Sequence, residues 1–270
     1  MRLWSLGSGS RGNALLLESG EARVLVDAGF PPRTLAQRLR AVGVEPEAIA
    51  ACVVTHEHTD HVRGAAAAAR RWGWTLHASA GTADAYPELT TAPVARFTAG
   101  DTLELPGFSL QTLASSHDAA APVVLVATAR ASGARAGIAY DLGTVLAGVE
   151  AAFVDLDLLV LESNHDEAML RAGPYPPVVR ARIASRTGHL SNRVAAAFAE
   201  RCVRRETSHV VLAHLSEKCN TRAVALEGMG AALRRTRFRG ALHAAAQDTP
   251  MGPFAVRGAS RRSTQLSLAL

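Results

Sequence analysis

The feature that most constrains this chain is a seven-residue run, THEHTDH, directly after the apolar segment 51–54. The apolar segment predicts a buried strand, so the polar run lies where that strand ends. His56, His58 and Asp60 alternate, and alternating side chains of an extended segment lie on one side. A helical pair of ligands instead has its histidines four residues apart. With His61 adjacent, this spacing predicts a strand-end loop that binds two metal ions.

Two neighbouring metal ions need more ligands than this run supplies, so other strand ends are candidates. His117, Asp141 and His214 each follow an apolar segment, at the point where polar residues begin. Taken alone, each of the three is equally well explained as a capping or turn residue. Asp27 ends another apolar segment, and we expect it to hold the histidine loop by hydrogen bonding rather than by direct ligation.

Length and composition indicate a globular protein with a sizeable core. The chain has 270 residues, of which 48% are hydrophobic and 20% charged. It contains no apolar run of membrane-spanning length, and its N-terminus lacks a signal-peptide pattern, so we expect a cytoplasmic protein without membrane association. Cys52, Cys202 and Cys219 are too few for a disulfide framework, and we expect them to be reduced.

The net charge of +5 depends almost wholly on arginine, because Lys218 is the only lysine. Arginine suits bidentate contact with phosphate. A preference for arginine codons together with solvated helix faces explains the same charge equally simply. The charge therefore supports a phosphate-bearing substrate without establishing one.

The order of apolar segments predicts two sheets flanked by helices. Short segments punctuated by glycine predict antiparallel strands near the N-terminus, at 2–6, 14–18 and 23–27. Helical spacing of apolar residues recurs at 31–43, 62–72, 175–186, 191–205 and 221–235. Strand-like segments from 97 onward would build a second sheet. This order predicts a four-layer αββα sandwich in one domain over residues 1–255, followed by a mobile tail over 256–270.

The candidate ligands and the segments around them resemble the motifs of the metallo-β-lactamase superfamily. The histidine run, an LVDAG segment at 25–29, and His117, Asp141 and His214 match its motifs. Further segments resemble the YycJ/WalJ-type branch: SLGSGSRGN at 5–13, SHDA at 116–119, DLG at 141–143, LESNHD at 161–166, GHLSN at 188–192 and AHLS at 213–216. The resemblance covers residues 3–250 and departs at Val124, where the branch often has glycine.

The resemblance implies an αββα fold and a dinuclear metal-dependent hydrolase, grouped with exonucleases acting on DNA and related to RNase Z. It implies two ligand sets joined by a bridging Asp141: His56, His58 and His117 for one ion, and Asp60, His61 and His214 for the other. Zinc and manganese suit such ligands, and iron is also possible. A hydroxide bridging the two ions would then be the nucleophile.

Several further residues are candidates for the site. Asp60 and His189 are the expected catalytic residues, and the resemblance puts His189 near the scissile phosphate; its alternative is a helix-start residue. Glu162 and His165 lie beside a strand end, where they would support the metal ligands. The glycine-rich loop is either a phosphate-binding loop or a plain hairpin turn. The candidates for substrate binding are Ser10, Arg11, Asn13 and Asn192.

We therefore expect a nuclease that removes nucleotides from DNA ends, in the 5′-to-3′ direction by resemblance, with nucleic acid as its partner. An RNase Z-like RNA-processing enzyme, or a phosphodiesterase acting on small nucleotides, is the alternative among enzymes. A metal- or nucleic-acid-binding scaffold without turnover is an alternative of another class. The complete set of candidate ligands disfavours this scaffold, because a site without turnover is free to lose Asp60 or Asp141.

Overall fold

The structure is a computed structural model that describes residues 1–258 and contains two seven-stranded sheets. The first sheet has the spatial order β14-β1-β2-β3-β4-β5-β6, with strands β1 (Arg2–Gly7), β2 (Ala14–Ser19), β3 (Ala22–Val26), β4 (Ala51–Val54), β5 (Thr75–Ser79), β6 (Val94–Phe97) and β14 (Met251–Ala255). The second has the order β13-β12-β11-β10-β9-β8-β7, with strands β7 (Thr102–Leu105), β8 (Phe108–Ala114), β9 (Val123–Ala129), β10 (Arg135–Ala139), β11 (Leu158–Glu162), β12 (His209–Ala213) and β13 (Ala241–Ala244).

Helices connect the strands: α1 (Pro32–Ala41), α2 (Thr59–Val62), α3 (Ala65–Trp72), α4 (Ala80–Ala85), α5 (Ala147–Ala152), α6 (Glu167–Ala172), α7 (Pro177–Ile183), α8 (Asn192–Cys202) and α9 (Arg222–Leu233), with 3₁₀ turns at Pro46–Ala48 and Pro87–Thr91. Side-chain caps begin several of them, because Ser79, Asp166, Ser191 and Thr221 accept backbone N–H groups of α4, α6, α8 and α9. Within residues 1–258, no helix is long and apolar enough to cross a membrane.

Apolar side chains pack in three layers. Leu17, Phe108 and Val160 belong to the layer between the two sheets. Leu35 of α1 packs on the outer face of the first sheet, and Phe198 of α8 packs on the outer face of the second. Helix, sheet, sheet and helix therefore follow one another, which confirms the αββα sandwich expected from the sequence.

Each sheet changes from antiparallel to parallel pairing. Strands β1 to β3 are antiparallel and β3 to β6 parallel. Strands β7 to β10 are likewise antiparallel, and β10 to β13 are parallel. Parallel strands end at the same edge of a sheet and are covered on both faces, which explains their continuous apolar sequences. The segments that follow β10, β11 and β12 therefore meet at one edge.

The helix expected after the histidine motif is two short helices, α2 and α3. Gly64 separates them, at a position where a Cβ atom would lie 1.9 Å from the carbonyl oxygen of Phe30. Helix α2 begins at Thr59, inside the motif, so Asp60 and His61 occupy a helical turn. The expectation that Asp60 continues the extended segment of His56 and His58 was therefore wrong.

The C-terminal part of the chain adds strands that the sequence did not predict. Strand β13 extends the second sheet, and β14 pairs antiparallel with β1. The backbone N–H of Val256, the first residue of the predicted tail, donates to the carbonyl oxygen of Met1 at 2.9 Å. The part of that tail over 259–270 lies outside the described residues. The single domain over 1–255 stays a prediction.

Candidate metal centre

The predicted ligands come together at the edge where the parallel strands end. His56 follows β4, Asp141 follows β10, and His214 follows β12. His117 follows β8, which runs in the same direction as β10 because both are antiparallel to β9. Four segments that are distant in sequence therefore deliver their polar side chains to one place, between the two sheets.

His56, His58 and His117 form the first group of potential ligands. One ring nitrogen from each lies within 4.8 Å of the others. The Nε2 atom of His117 is 3.1 Å from Nδ1 of His58, while its Nδ1 is 3.0 Å from the carbonyl oxygen of Gly188. The carbonyl assigns the proton to Nδ1, which leaves Nε2 as a lone pair facing the other two histidines.

Asp60, His61 and His214 form the second group, again within 4.8 Å. The Oδ2 atom of Asp60 lies 3.3 Å from Nε2 of His214 and 3.4 Å from Nε2 of His61. The opposite nitrogen of His61, Nδ1, is 2.7 Å from Oδ2 of Asp27. Asp27 therefore accepts the Nδ1 proton and leaves Nε2 of His61 available, an arrangement common among metal-binding histidines.

Asp141 lies between the two groups. Its Oδ2 is 2.7 Å from Nε2 of His61 and 3.8 Å from Nε2 of His56, and its Oδ1 is 3.1 Å from Nδ1 of His214. Despite the short distance to His61, neither carboxylate oxygen accepts a hydrogen bond of normal geometry from any residue between 1 and 258. Asp141 is thus placed to contact ions held by either group.

Unpartnered polar atoms test whether this cluster suits a metal ion. Nε2 of His56 and both carboxylate oxygens of Asp141 are buried and have no hydrogen-bond partner among residues 1–258. Buried polar atoms almost always have partners, and here Nε2 of His56 lies 3.8 Å from Oδ2 of Asp141. Neutral imidazole and carboxylate are ligands that zinc, manganese and iron accept. The cluster therefore fits a divalent metal ion.

The backbone at the site is in an unusual conformation. Asp27, Asp141 and His214 have φ values of 63°, 58° and 51°, in the left-handed region. Non-glycine residues adopt this conformation at a cost, although Asp and His tolerate it better than most. All three directly follow, or lie within two residues of, a strand end. The sharp change of chain direction turns each side chain into the space between the sheets.

Charge interactions shift the pKa values of the second group strongly. Burial lowers the pKa of His61, but Asp141, Asp27 and Asp60 outweigh burial and raise it well above 6.5. Burial also lowers the pKa of His214, but the nearby carboxylates, Asp141 most strongly, outweigh burial and raise this pKa to about 9. Burial would raise the pKa of Asp60, but His61 and His214 hold it far below its usual value.

The first group behaves differently, because carboxylates do not surround it in the same way. Burial, reinforced by the nearby His61, lowers the pKa of His56 well below 6.5. Burial also lowers the pKa of His117, although Asp141 partly opposes it. These two imidazoles are therefore neutral at neutral pH and hold lone pairs without first losing a proton.

Asp27 is fully buried and has a complete set of donors. Its Oδ1 accepts the backbone N–H of Thr55 at 2.7 Å, and its Oδ2 accepts the hydroxyls of Thr55 and Tyr140, each at 2.8 Å. Together with His61, these contacts join β3, the start of the histidine motif and the segment before Asp141. The sequence reasoning singled out Asp27 but missed Tyr140, whose only signal is its position beside Asp141.

Glu162 is the second buried carboxylate at the site. Its Oε1 is 2.7 Å from Nδ1 of His189 and 3.1 Å from Nδ1 of His214. Its Oε2 accepts the backbone N–H groups of Leu142 and Leu190 at 3.0 and 3.1 Å. Burial would raise the pKa of Glu162, but His189 and His214 lower it to about 2.

His189 lies beside the second group, with 21% of its side chain exposed. Its Nδ1 is also 3.2 Å from Oδ1 of Asp141. Burial opposes charge on the ring, but Glu162 and Asp141 raise its pKa well above 6.5. Asp141, Glu162, His189 and His214 also lie within 4.8 Å of one another, so His189 is itself close enough to join a metal site.

Two of the residues expected to bind substrate are exposed, and two are buried. Ser10 is exposed, and the exposed guanidinium of Arg11 contacts Glu217 and Asp248, each at 2.7 Å. The amide of Asn13 is buried, 3.0 Å from Nε2 of His61 and 3.2 Å from Oδ2 of Asp60. Asn13 thus contacts the second ligand group, a position that favours support of these ligands over contact with substrate.

Asn192 and His165 also differ from what we expected. The buried Asn192 amide accepts the Ser163 hydroxyl at 2.6 Å and donates to Asn220 at 3.0 Å, so it fastens the start of α8 to neighbouring loops. This burial favours a structural role over substrate contact. The His165 ring makes no hydrogen bond to a predicted ligand among residues 1–258, which differs from the supporting role we expected. Its backbone carbonyl instead accepts the N–H of Asn192 at 2.8 Å.

Comparison with known proteins agrees with this geometry. A family model described as the metallo-beta-lactamase superfamily matches residues 7–146. Exodeoxyribonuclease YycJ from Bacillus anthracis is 30% identical over 237 residues, covering 86% of this chain and 89% of the relative. Exodeoxyribonuclease WalJ from Streptococcus pneumoniae serotype 2 is 32% identical over 238 residues, covering 82% and 83%. The metallo-beta-lactamase fold protein YhfI from Bacillus subtilis superposes with a TM-score of 0.71 at 16% identity, covering 93% and 99%.

Together with these relatives, the histidine and carboxylate cluster at the shared edge of two facing sheets identifies the chain as a metal-dependent hydrolase. The chain belongs to the metallo-β-lactamase superfamily, and within it to the YycJ/WalJ branch.

Proposed function

We propose that this protein is a dinuclear metal-dependent phosphodiesterase, and more specifically a nuclease that removes nucleotides from DNA ends. The observation that carries the proposal is the convergence of seven side chains from four distant segments on a gap where His56 Nε2 and both oxygens of Asp141 have no partner in the described part of the chain. The exodeoxyribonuclease names of two relatives, at 30% and 32% identity over most of the chain, support the choice of DNA.

In this proposal His56, His58 and His117 hold one ion and Asp60, His61 and His214 the other, while Asp141 contacts both. Zinc or manganese is our choice of metal, with iron possible. Divalent ions bound there would supply the Lewis acidity that polarises a phosphodiester and makes water a better nucleophile. The remaining chemistry belongs to the side chains of the protein.

Asp60 and His189 are the residues that we propose act on the reacting groups. Asp60 is more accessible than Asp141, with 21% against 3% of its side chain exposed. We propose that its carboxylate orients the attacking water by accepting a hydrogen bond. Glu162 holds Nδ1 of His189, so the ring presents its other nitrogen for contact with the phosphate or for protonation of the leaving oxygen.

Three substrates tested side by side decide this proposal: end-labelled double-stranded DNA, RNA and bis(p-nitrophenyl) phosphate. Protein stripped of metal and reloaded with manganese or zinc should shorten the DNA progressively, and labels at the 5′ and 3′ ends report its direction. Preferential cleavage of RNA would favour an RNA-processing role. Failure to cleave DNA with zinc, manganese and iron would refute the nuclease proposal.

A further inference from the structure

A cavity of about 330 Å³ opens directly beside His189, at the edge where the sheets end. Its walls come from the segment after β11, from α6, from the end of α7 and from the start of α8. Small-molecule sites in proteins typically measure about 300–1,000 Å³, so this cavity is at the lower end of that range. It has room for one small ligand next to the candidate metal centre.

The inner wall of the cavity combines apolar side chains with a buried imidazole. Leu170 and Leu190 are 5% and 1% exposed, and His165 is 3% exposed. The wall is therefore mostly apolar, with part of the buried His165 ring beside the two leucines, and it suits a flat ligand with apolar faces.

The rim of the cavity carries two arginines and the carboxylate of Glu167. Arg171 and Arg193 both line it and are exposed. Arg193 is paired with Glu167 at 3.0 Å, whereas no carboxylate among residues 1–258 pairs with Arg171. An unpaired guanidinium at the mouth of a cavity is suited to bidentate contact with a phosphate.

A larger cavity of about 960 Å³ lies elsewhere, among Arg204, Arg205 and Arg239 and their neighbours. These residues precede β12 and β13, at the opposite end of the second sheet from the candidate ligands. The smaller cavity is instead lined by His189, which lies beside the candidate ligands Asp141 and His214. The smaller cavity is therefore the better candidate for a specific ligand.

We infer that the cavity beside His189 holds the terminal nucleotide of a nucleic-acid strand. The base lies against His165 and Leu190, and the phosphate faces Arg171. This inference rests on the proposed nuclease function and names the part of the substrate that the cavity takes. Bases bind proteins by stacking on aromatic or apolar side chains, which this wall provides.

A pocket for one nucleotide favours cleavage at strand ends. A terminal base leaves its stack more easily than an internal base of a duplex, because it has only one stacked neighbour. Once its base is in the pocket, the adjoining phosphodiester lies beside His189. The cavity would thus convert a general phosphodiester site into one that selects ends.

The matched variants Ala184→Phe and Ala181→Phe test this inference. Both alanines are exposed, but only Ala184 lines the cavity, so only its phenylalanine reduces the space inside. The dissociation constant of deoxyadenosine monophosphate, measured by calorimetry on metal-loaded protein, should rise about tenfold in Ala184→Phe and stay unchanged in Ala181→Phe. The rate on DNA ends, divided by the rate on bis(p-nitrophenyl) phosphate, should fall about tenfold in the first variant alone.

The variants Arg171→Ala and Arg239→Ala, the second at an exposed arginine outside this cavity, test whether Arg171 binds the phosphate of the nucleotide. Arg171→Ala should weaken the binding of deoxyadenosine monophosphate about tenfold but leave the binding of deoxyadenosine unchanged. Arg239→Ala should change neither affinity. Circular dichroism checks that each variant is folded. If Ala184→Phe does not fold, the two arginine variants still test the inference. Equal nucleotide binding in each variant and its control would overturn the inference. Wild-type protein that binds the nucleotide in this pattern but leaves DNA intact would keep the pocket and refute the nuclease proposal.

Discussion

Oε1 of Glu162 lies 2.7 Å from Nδ1 of His189 and 3.1 Å from Nδ1 of His214, so one buried carboxylate holds two histidines of the candidate centre. Its other oxygen is occupied by the N–H groups of Leu142 and Leu190. All four contacts require an acceptor, and an ionised carboxylate can accept all of them. Glu162 thereby links a proposed metal ligand to a residue proposed to act on the substrate.

Replacing Glu162 with glutamine should reduce turnover of bis(p-nitrophenyl) phosphate about 10- to 100-fold. The amide keeps the size of the side chain, but its NH₂ group must face either the two backbone N–H groups or the two imidazoles. Either choice places donor against donor and releases His189 or His214 from its orientation. Glu150→Gln, on the surface beside Arg201, is the control and should retain wild-type rates.

A double-mutant cycle identifies which histidine transmits the effect of Glu162. If Glu162 acts through His189, the double variant Glu162→Gln/His189→Ala should be no slower than His189→Ala alone. Multiplication of the two single effects would instead show that Glu162 acts independently of His189. Metal content of each variant, measured by mass spectrometry, separates loss of an ion from loss of orientation.

Asp27→Asn should weaken the second metal group through His61. Asparagine can accept the Nδ1 proton of His61 or the N–H of Thr55 with its one carbonyl, but its NH₂ group then opposes another donor. We expect metal affinity to fall about 10- to 100-fold, as measured by competition with a chelator. Tyr140→Phe removes a single donor to the same carboxylate, so it should cost about 1 kcal/mol of stability and leave metal affinity nearly unchanged. Equal metal affinity in both variants would contradict this role of Asp27.

The sequence predicted the parts of the site that have a local pattern. Apolar segments that end in a histidine or carboxylate can be recognised one at a time, which is why His117, Asp141 and His214 were candidates before the fold was known. The alternation of His56 and His58 was also visible. The change to a helical turn at Thr59 was not, because it depends on the close approach of Gly64 to the Phe30 backbone.

The parts that could not be predicted depend on contacts between distant segments. The four donors to Glu162 come from three separate segments, so nothing near Glu162 in the sequence shows how many contacts it makes. The burial of Asn192 likewise depends on Ser163 and Asn220. Strand β14 is stable only as the edge partner of β1, at the other end of the chain, and its short sequence with a central Pro253 gives a weak strand signal.

Asp60→Ala and His61→Ala should abolish turnover while leaving the chain folded. Both remove a proposed ligand of the second ion but none of the first, so metal content should fall from two ions to one per chain. Elemental analysis and circular dichroism measure these two quantities. His77→Ala, a partly buried histidine on β5 away from the cluster, is the control and should keep both ions. Undiminished turnover in both variants would mean that the second ion is not required.

The stability of the metal-free protein should fall as the pH rises above neutral. His61 and His214 have pKa values raised above the 6.5 of an unfolded chain, the latter to about 9, by carboxylates of the folded site. A raised pKa means that the folded state holds the proton more tightly, so this stabilisation is complete below pH 6.5 and disappears as the pH passes about 9. The rise of the His214 pKa from 6.5 to about 9 alone corresponds to about 3 kcal/mol, seen as a falling Tm across that interval. Bound metal ions would replace both protons and should remove the dependence, so a metal-loaded sample with the same slope would contradict the assignment of these histidines as ligands.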